Sequence, residues 1–285
     1  MQIEINTFIQ VNLKKLTNKT FSKKYISQYI TPIIKNINNS EHKKFIIAGS
    51  QGAGKSTLAK LFKLVLENRY KKKVMLLSID DYYLSKNKRI KLSKKIHPLL
   101  STRGVPGTHD IVALKNDIIN FQTKNFPITT PIFNKLKDDT SIKKKIIKNA
   151  EILLLEGWCC GTPSINTKYL FQNINRVETL LDKNKKWRQY YNSQLKMNYK
   201  KVFSLFDQQI YIEPPSFNYV LKWRYAQEKN NALKSRNKDF MNKKELQTFI
   251  QHYEKLTRWM MKIMPAKADI LIKIDSNQKI KKVVI

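Results

Sequence analysis

The stretch Gly49-Ser50-Gln51-Gly52-Ala53-Gly54-Lys55-Ser56-Thr57 decides the fold class of this chain. It matches the pattern G-x-x-x-x-G-K-[ST], follows the apolar run Phe45–Ala48 and precedes a helical apolar pattern that begins at Leu58. Glycines let the backbone turn so that successive N–H groups face phosphates, and the amino end of the next helix adds its positive dipole end. The motif in this context predicts a phosphate-binding loop for a nucleoside triphosphate.

Two side chains of this loop carry specific predicted roles. Lys55 is expected to reach the β- and γ-phosphates, and Ser56 is expected to ligate Mg²⁺. The whole segment from Gly49 to Thr57 is therefore a candidate nucleotide-binding site. The alternative is a chance glycine-rich turn, which the flanking apolar runs disfavour.

Further apolar runs predict the other strands of the fold. They are Val74–Ile79, Ile152–Leu155, Ile210–Ile212 and Ile270–Ile274. Because these runs do not alternate with polar residues, the strands are expected to be covered on both faces. The intervals between them are long enough for helical crossovers, so the sequence predicts an α/β fold with a doubly wound, mainly parallel sheet and helices on both faces.

The length of 285 residues suits one large domain with embellishments. Residues 1–42 are polar, with apolar residues at mixed spacing and a breaker at Pro32, which predicts a helical N-terminal extension packed on a P-loop domain over residues 43–285. No run of about 18 apolar residues occurs, so a cytoplasmic protein without a membrane partner is expected. Adjacent Cys159 and Cys160 are expected to be reduced, because neighbouring residues rarely reach disulfide geometry.

The formal net charge of +34 raises the question of a nucleic-acid partner. Only eight of the 55 basic residues are Arg, and Lys, Asn and Ile are abundant throughout, as A- and T-rich codons would produce. The lysines are scattered without regularly spaced aromatic residues. We expect no specific nucleic-acid partner, although functional RNA or DNA binding stays open as an alternative.

Two of the predicted strands end in carboxylates, at the edge where open α/β sheets build their crevice. Val74–Ile79 runs into Asp80 and Asp81. Ile152–Leu155 runs into Glu156. We interpret Asp80 as a general base for a hydroxyl nucleophile, and Glu156 as an acid that faces Mg²⁺ through water or orients the nucleophile. Helix capping is the alternative for the aspartates, above all for Asp81, and a solvated strand-end acid is the alternative for Glu156.

The loop Arg103-Gly104-Val105-Pro106-Gly107-Thr108-His109-Asp110 concentrates hydrogen-bond donors among turn residues. Its guanidinium, hydroxyl, imidazole and glycine N–H groups suit an anionic metabolite. Arg103 can hold a carboxylate through two parallel hydrogen bonds. The alternative is a scaffolding loop in which Arg103 pairs with a neighbouring acid and His109 caps a turn.

These motifs together resemble the D-glycerate 3-kinase family, which is related to phosphoribulokinase, uridine kinase and pantothenate kinase. The resemblance extends over about residues 44–275 and depends on the order and spacing of its motifs. Besides the phosphate-binding loop, these segments carry it: Ser78–Tyr83, Arg103–Asp110, Glu156–Cys159, Trp187-Arg188 with Tyr191-Asn192, Pro215–Phe217, Trp223-Arg224 with Gln227-Glu228, Gln251–Glu254 with Leu256–Arg258, and Met264–Ala266 with Ala268-Asp269.

The resemblance implies transfer of the γ-phosphoryl group of ATP, with Mg²⁺, to the 3-hydroxyl of D-glycerate, which gives 3-phosphoglycerate. It also implies a mobile lid near residues 223–240, in which Arg224 and Arg236 neutralise the transferring phosphoryl group. Surface charge without a catalytic role is the alternative for both. The implied site comprises catalytic Lys55, Asp80, Glu156 and Arg224, acceptor-binding Asp80, Tyr83, Arg103, Thr108, His109 and Asp110, and metal-binding Ser56 and Glu156.

One segment departs from the family pattern. Pro131-Ile132-Phe133-Asn134-Lys135 stands where Pro-x-Phe-Asp-Lys is expected, and Thr140 stands where an Arg is common. If the expected Asp contacts the acceptor, the Asn134 amide could still form hydrogen bonds there, with altered affinity or substrate choice. Three rival functions stay open. The first is a kinase whose acceptor is pantothenate, a nucleoside or a sugar phosphate. The second is a nucleic-acid-associated NTPase, and the third is a structural protein that binds ATP without chemistry.

Overall fold

A mainly parallel sheet forms the centre of the protein, in a computed structural model that describes residues 2–235 and 243–285. The described strands are β1 (Lys44–Gly49), β2 (Val74–Ser78), β3 (Ile128–Thr130), β4 (Phe133–Asn134), β5 (Asp139–Thr140), β6 (Lys145–Ile147), β7 (Ile152–Gly157), β8 (Gln208–Glu213), β9 (Ile270–Ile274) and β10 (Ile280–Val284). The central sheet has the order β10-β9-β8-β1-β7-β2. Its strands run parallel except β10, which is antiparallel to β9. Two small antiparallel pairs, β3 with β6 and β4 with β5, lie outside it.

Helices connect the strands and cover both faces of the sheet. The described helices are α1 (Gln2–Thr17), α2 (Lys23–Tyr25), α3 (Thr31–Asn39), α4 (Lys55–Arg69), α5 (Lys86–Lys95), α6 (Ile111–Gln122), α7 (Thr167–Phe171), α8 (Lys186–Gln194), α9 (Lys200–Phe203), α10 (Phe217–Ser235) and α11 (Lys243–Ile263). Short 3₁₀ turns lie at Ile79–Tyr82, Pro98–Ser101 and Met264–Ala266, and π-helical turns lie at Ile26–Ile30, Val177–Leu181 and Leu195–Tyr199. Across the described residues, no helix is both long enough and apolar enough to cross a bilayer.

The continuous apolar runs are explained by two hydrophobic cores, one on each face of the sheet. Along β1, Ile46 and Ala48 belong to one core, whereas Phe45 and Ile47 belong to the other. Successive side chains of a strand point to opposite faces, so a strand covered on both sides has no polar positions. The predicted α/β fold with a doubly wound, mainly parallel sheet is confirmed. Strand β10 was not predicted, because exposed Lys281 and Lys282 interrupt its apolar pattern at the sheet edge.

The N-terminal helices share one of these cores. Ile5, Ile9 and Leu13 recur at a four-residue spacing along α1 and are buried with Phe62 and Val65 of α4. This spacing places the three side chains on one face of the helix. We call residues 2–39 the N-terminal arm.

A buried ion cluster joins α8 to α11. Arg188 donates through Nε to Asp182 at 2.7 Å, and its Nη1 lies 3.5 Å from the Glu178 carboxylate. Lys255 of α11 lies 3.2 Å from the same Glu178 oxygen. Because Arg188, Glu178 and Asp182 have no exposed surface, the Trp187-Arg188 motif serves packing rather than the cleft.

Candidate active site

The phosphate-binding loop connects β1 to α4 at the carboxyl edge of the sheet. Gly52 and Gly54 have φ angles of +76° and +90°, a backbone region that favours glycine. A Cβ atom on Gly52 would also lie only 2.7 Å from the Cβ of Trp223. Glycine at this position thus lets the loop turn tightly beneath α10, directly before the amino end of α4.

Lys55 supplies a half-buried positive charge inside this loop. Its Nζ donates a hydrogen bond to the Ser50 carbonyl at 2.8 Å. Burial lowers the pKa of Lys55, while the carboxylates of Glu156 and Asp80 act in the opposite direction. A cation in a poorly solvated cleft interacts strongly with phosphate, because little water screens the attraction.

The donors and acceptors of the loop fit a nucleoside triphosphate with Mg²⁺. Ser50 Oγ and Gln51 Oε1 are buried polar atoms without a hydrogen-bond partner among the residues that the structure describes. Ser56 is exposed on the cleft wall, and Glu156, only 8% exposed, lines the same cleft. The described chain has no cluster of three or more metal-binding side chains. Proteins usually hold Mg²⁺ through one or two side chains together with phosphate oxygens and water, and Ser56 and Glu156 fit that arrangement.

Asp80 lies at the start of the 3₁₀ turn Ile79–Tyr82, just beyond the carboxyl end of β2. Its carboxylate lines the cleft and accepts hydrogen bonds from Tyr83 at 3.0 Å and from Lys135 at 2.6 Å. Burial, the largest influence, would raise the pKa of Asp80, but the charge and hydrogen bond of Lys135 and the hydrogen bond of Tyr83 outweigh it and lower the pKa to about 2. The carboxylate is therefore ionised at neutral pH.

Asp81, unlike Asp80, does not line the cleft. Its carboxylate accepts the Phe133 N–H at 3.2 Å and so holds β4 against the turn that carries Asp80. It does not cap the next helix, because the N-cap of α5 is Ser85. The interpretation of Asp81 as a helix cap is wrong.

Lys135 is a cleft residue that the sequence interpretation did not single out. It follows β4 and reaches Asp80 across 55 positions of sequence. The signal was present, because Lys135 ends the very segment in which Asn134 departs from the family pattern. Asn134 itself does not line the cleft: its side-chain oxygen accepts the N–H groups of Leu136 and Lys137 at 3.0 and 3.1 Å. An asparagine performs this turn-forming role as well as an aspartate.

Arg103 lines the cleft but already has an acidic partner. Its Nη1 forms a short ion pair with Asp138, and its guanidinium carbon lies 5.5 Å from the centre of the Phe133 ring. The Tyr253 hydroxyl donates to the Arg103 carbonyl at 2.7 Å. The alternative in which Arg103 pairs with a neighbouring acid is therefore observed. The ion pair with Asp138 holds the Arg103 side chain beside the cleft.

The structure does not bring the rest of the Arg103–Asp110 loop to the cleft wall. Thr108 is fully buried, where its hydroxyl accepts the Gly104 N–H and donates to the Val105 carbonyl. Asp110 is the N-cap of α6 and accepts the Ala113 N–H at 3.1 Å. Both side chains stabilise local structure, which corrects their predicted placement around the acceptor.

His109 lies behind Tyr83 rather than in the cleft. Its ring stacks on Tyr83 with 4.5 Å between ring centres, and Nδ1 lies 2.6 Å from the Tyr199 hydroxyl. Burial lowers the pKa of His109 to about 4, against the opposing influence of Asp80. The neutral imidazole therefore supports Tyr83, which in turn contacts Asp80.

The segment predicted as a lid is described only in part. Arg224, on α10, lines the cleft, and its guanidinium carbon lies 5.8 Å from the centre of the Phe249 ring. Arg236 lies outside the described residues.

These groups surround a cleft of about 600 Å³. On one side of the phosphate-binding loop the cleft is lined by Asp80, Arg103, Lys135 and Glu156. Asp80 follows β2, and Glu156 lies near the carboxyl end of the neighbouring strand β7. A phosphate loop before a helix, with carboxylates from two neighbouring strand ends facing it, defines the class of P-loop kinases.

Comparisons with known proteins agree with this class. No protein-family model matches the chain. "Uncharacterized kinase mug58" of Schizosaccharomyces pombe is 30% identical over 224 residues, which cover 73% of this chain and 76% of the relative. The chloroplastic D-glycerate 3-kinase of Arabidopsis thaliana is 26% identical over 215 residues, which cover 71% of this chain and 44% of that protein. Pantothenate kinases are also among the relatives.

A solved structure shows the same fold. D-glycerate 3-kinase from Cryptococcus neoformans var. grubii serotype A matches with a TM-score of 0.73 at 21% identity, covering 100% of this chain and 98% of that one. The chain belongs to the D-glycerate 3-kinase family of P-loop kinases.

Proposed function

We propose that this protein transfers the γ-phosphoryl group of ATP to a small hydroxy acid, and that the acceptor is D-glycerate, with 3-phosphoglycerate as the product. The observation that carries the proposal is the ionised Asp80 carboxylate on the wall of the cleft that also contains Lys55 and Glu156. The choice of D-glycerate is supported by the similarity to the chloroplastic D-glycerate 3-kinase of Arabidopsis thaliana and by the family resemblance.

Asp80 is the proposed proton acceptor. The acceptor hydroxyl donates a hydrogen bond to its carboxylate, and the hydroxyl proton moves to Asp80 as the new oxygen–phosphorus bond forms. The bond between the γ-phosphorus and the β,γ-bridging oxygen breaks, and ADP leaves with that electron pair. A carboxylate with a low pKa suits a loose transition state, in which the hydroxyl needs little activation before the phosphoryl group arrives.

Positive charge around the phosphoryl group is the second requirement. Lys55 holds the β- and γ-phosphates, and Arg224 approaches from α10, so that developing charge is neutralised in a poorly solvated cleft. Ser56 and Glu156 are the residues that would hold Mg²⁺, which supplies further neutralisation of the phosphate oxygens when bound.

The acceptor side of the cleft suits an anionic metabolite. Lys135 is 61% exposed and Arg103 is 22% exposed, so both cations are accessible from the cleft. Asp138 keeps the Arg103 guanidinium oriented, and Asp80 does the same for the Lys135 ammonium. A small acid can bind through its carboxylate here while its hydroxyl reaches Asp80.

A metabolite panel tests the substrate. Coupled ADP formation is measured with D-glycerate, L-glycerate, pantothenate, uridine and a sugar phosphate, and D-glycerate is expected to give the highest kcat/KM. The phosphorus and proton nuclear magnetic resonance spectra of the product then report whether the 2- or the 3-hydroxyl is phosphorylated. Turnover with pantothenate or another acceptor, and none with D-glycerate, would reject the substrate while leaving the kinase class intact.

A further inference from the structure

The cleft continues past the phosphate-binding loop, on the side away from Asp80. In the sheet order, β7 and β2 lie on one side of β1, whereas β8, β9 and β10 lie on the other. Because β9 runs parallel to β8 and β8 runs parallel to β1, the turn that follows β9 lies at the same edge as the phosphate-binding loop. We call residues 275–279 the β9–β10 turn.

The N-terminal arm and the β9–β10 hairpin line this second half of the cleft with apolar surface. Leu13, Leu16, Phe21 and Tyr25 come from the arm, and Ile274 and Ile280 come from the hairpin. Leu16 and Phe21 keep part of their surface accessible, unlike Leu13, which is buried in the core. An apolar wall thus begins directly beside the loop that binds phosphates.

Hydrogen bonds hold this wall in a defined position relative to the loop. The Gln278 side chain of the β9–β10 turn donates to the Gly52 carbonyl at 2.6 Å. The Tyr25 hydroxyl accepts the Ile280 N–H at 2.6 Å, which joins the arm to the hairpin. The arm turn that carries Phe21 is fixed in the same way, since Gln10 donates to the Phe21 carbonyl at 2.6 Å.

We propose that the N-terminal arm forms one wall of the subsite for the purine ring of the nucleotide, with Phe21 and Leu16 packing against the ring. The inference rests on the proposed use of ATP. The terminal phosphoryl group must point toward Asp80, and the phosphates are held by the loop, so the base extends to the other side of β1. There it meets apolar side chains from the arm and polar groups at the β9–β10 turn, the mixture typical of small-molecule sites.

Phosphate and base contributions can be separated with two probes, ADP and inorganic tripolyphosphate, because only ADP carries a purine ring. Phe21→Ala is expected to weaken ADP binding about tenfold and to leave tripolyphosphate binding within about twofold of the wild type, both measured by isothermal titration calorimetry. Val11→Ala is the matched control, since Val11 is exposed on the same arm and does not line the cleft. It should change neither affinity.

Two results would overturn the inference. An equal loss of ADP and tripolyphosphate affinity in Phe21→Ala would mean that the arm acts through the shape of the phosphate loop. Unchanged ADP affinity would mean that Phe21 does not contact the base. Should Phe21→Ala lose its cooperative thermal unfolding, Leu16→Ser offers the same comparison at a second partly exposed position. These measurements need no acceptor, so they stay informative even if D-glycerate is not phosphorylated.

Discussion

Replacing Lys135 with Met removes the cation that keeps Asp80 ionised at low pH. Two unit charges 2.6 Å apart attract by about 1.6 kcal/mol even in bulk water, which corresponds to about 1.2 pKa units. Because Lys135 is 61% exposed, solvent keeps the attraction near this lower value. The substitution also removes the hydrogen bond from Lys135 and leaves burial as the leading influence on Asp80, so we expect the pKa of Asp80 to rise by more than this amount, from about 2 toward its ordinary value of 3.8.

The pH dependence of kcat/KM measures this change, because it reports ionisations of the free enzyme. With a pKa of 3.8, about 40% of Asp80 would be protonated at pH 4 in Lys135→Met, against about 1% in the wild type. We therefore expect the acid limb of the variant to lie at a higher pH than that of the wild type. Lys137→Met is the control, because Lys137 is exposed on the same turn and does not line the cleft. Circular dichroism at each pH verifies that both variants remain folded.

Stability gives a second measurement of the same pair. Since the folded-state pKa of Asp80 lies below its unfolded value, the ion pair stabilises the fold above about pH 4, and this stabilisation is lost as the pH falls through about 2. Lys135→Met should lower the free energy of unfolding at pH 7 by less than the attraction between the two charges, at most about 1 kcal/mol, because holding two partly exposed side chains together costs conformational entropy. If the acid limbs of variant and wild type coincide, Lys135 does not control the ionisation of Asp80.

Three further substitutions test other parts of the structure. Asp80→Asn should lower kcat by about 10²- to 10⁴-fold while ADP affinity in calorimetry is retained, and undiminished turnover would argue against Asp80 as the base. Asn134→Asp should leave kcat/KM within about twofold, because either side chain can accept the two turn N–H groups; a larger change would place Asn134 at the acceptor. Arg188→Met should cost about 3 to 5 kcal/mol in urea unfolding, since Asp182 and Glu178 would keep buried charges without their partner, and a loss below about 1 kcal/mol would contradict that account.

The β1 strand, the phosphate-binding loop and α4 could be predicted from the sequence because their physical causes are local. Glycines that permit the turn, a lysine at its end and apolar runs on either side lie within a few positions of one another. The parallel sheet was also predictable, since strands buried on both faces lack polar positions. Asp80 and Glu156 could be predicted as cleft residues from the same pattern, because each comes directly after an apolar run.

The partners of these residues were decided by the tertiary structure. Lys135 forms an ion pair with Asp80, which lies 55 positions away in the sequence. Asp138 forms an ion pair with Arg103, which lies 35 positions away. An ion pair depends on the separation of two charges in space, which local propensity does not encode. The same holds for the N-terminal arm: its sequence indicated helices, but only the packing of α1 against α4 and the hydrogen bond between Tyr25 and Ile280 bring Phe21 to the cleft.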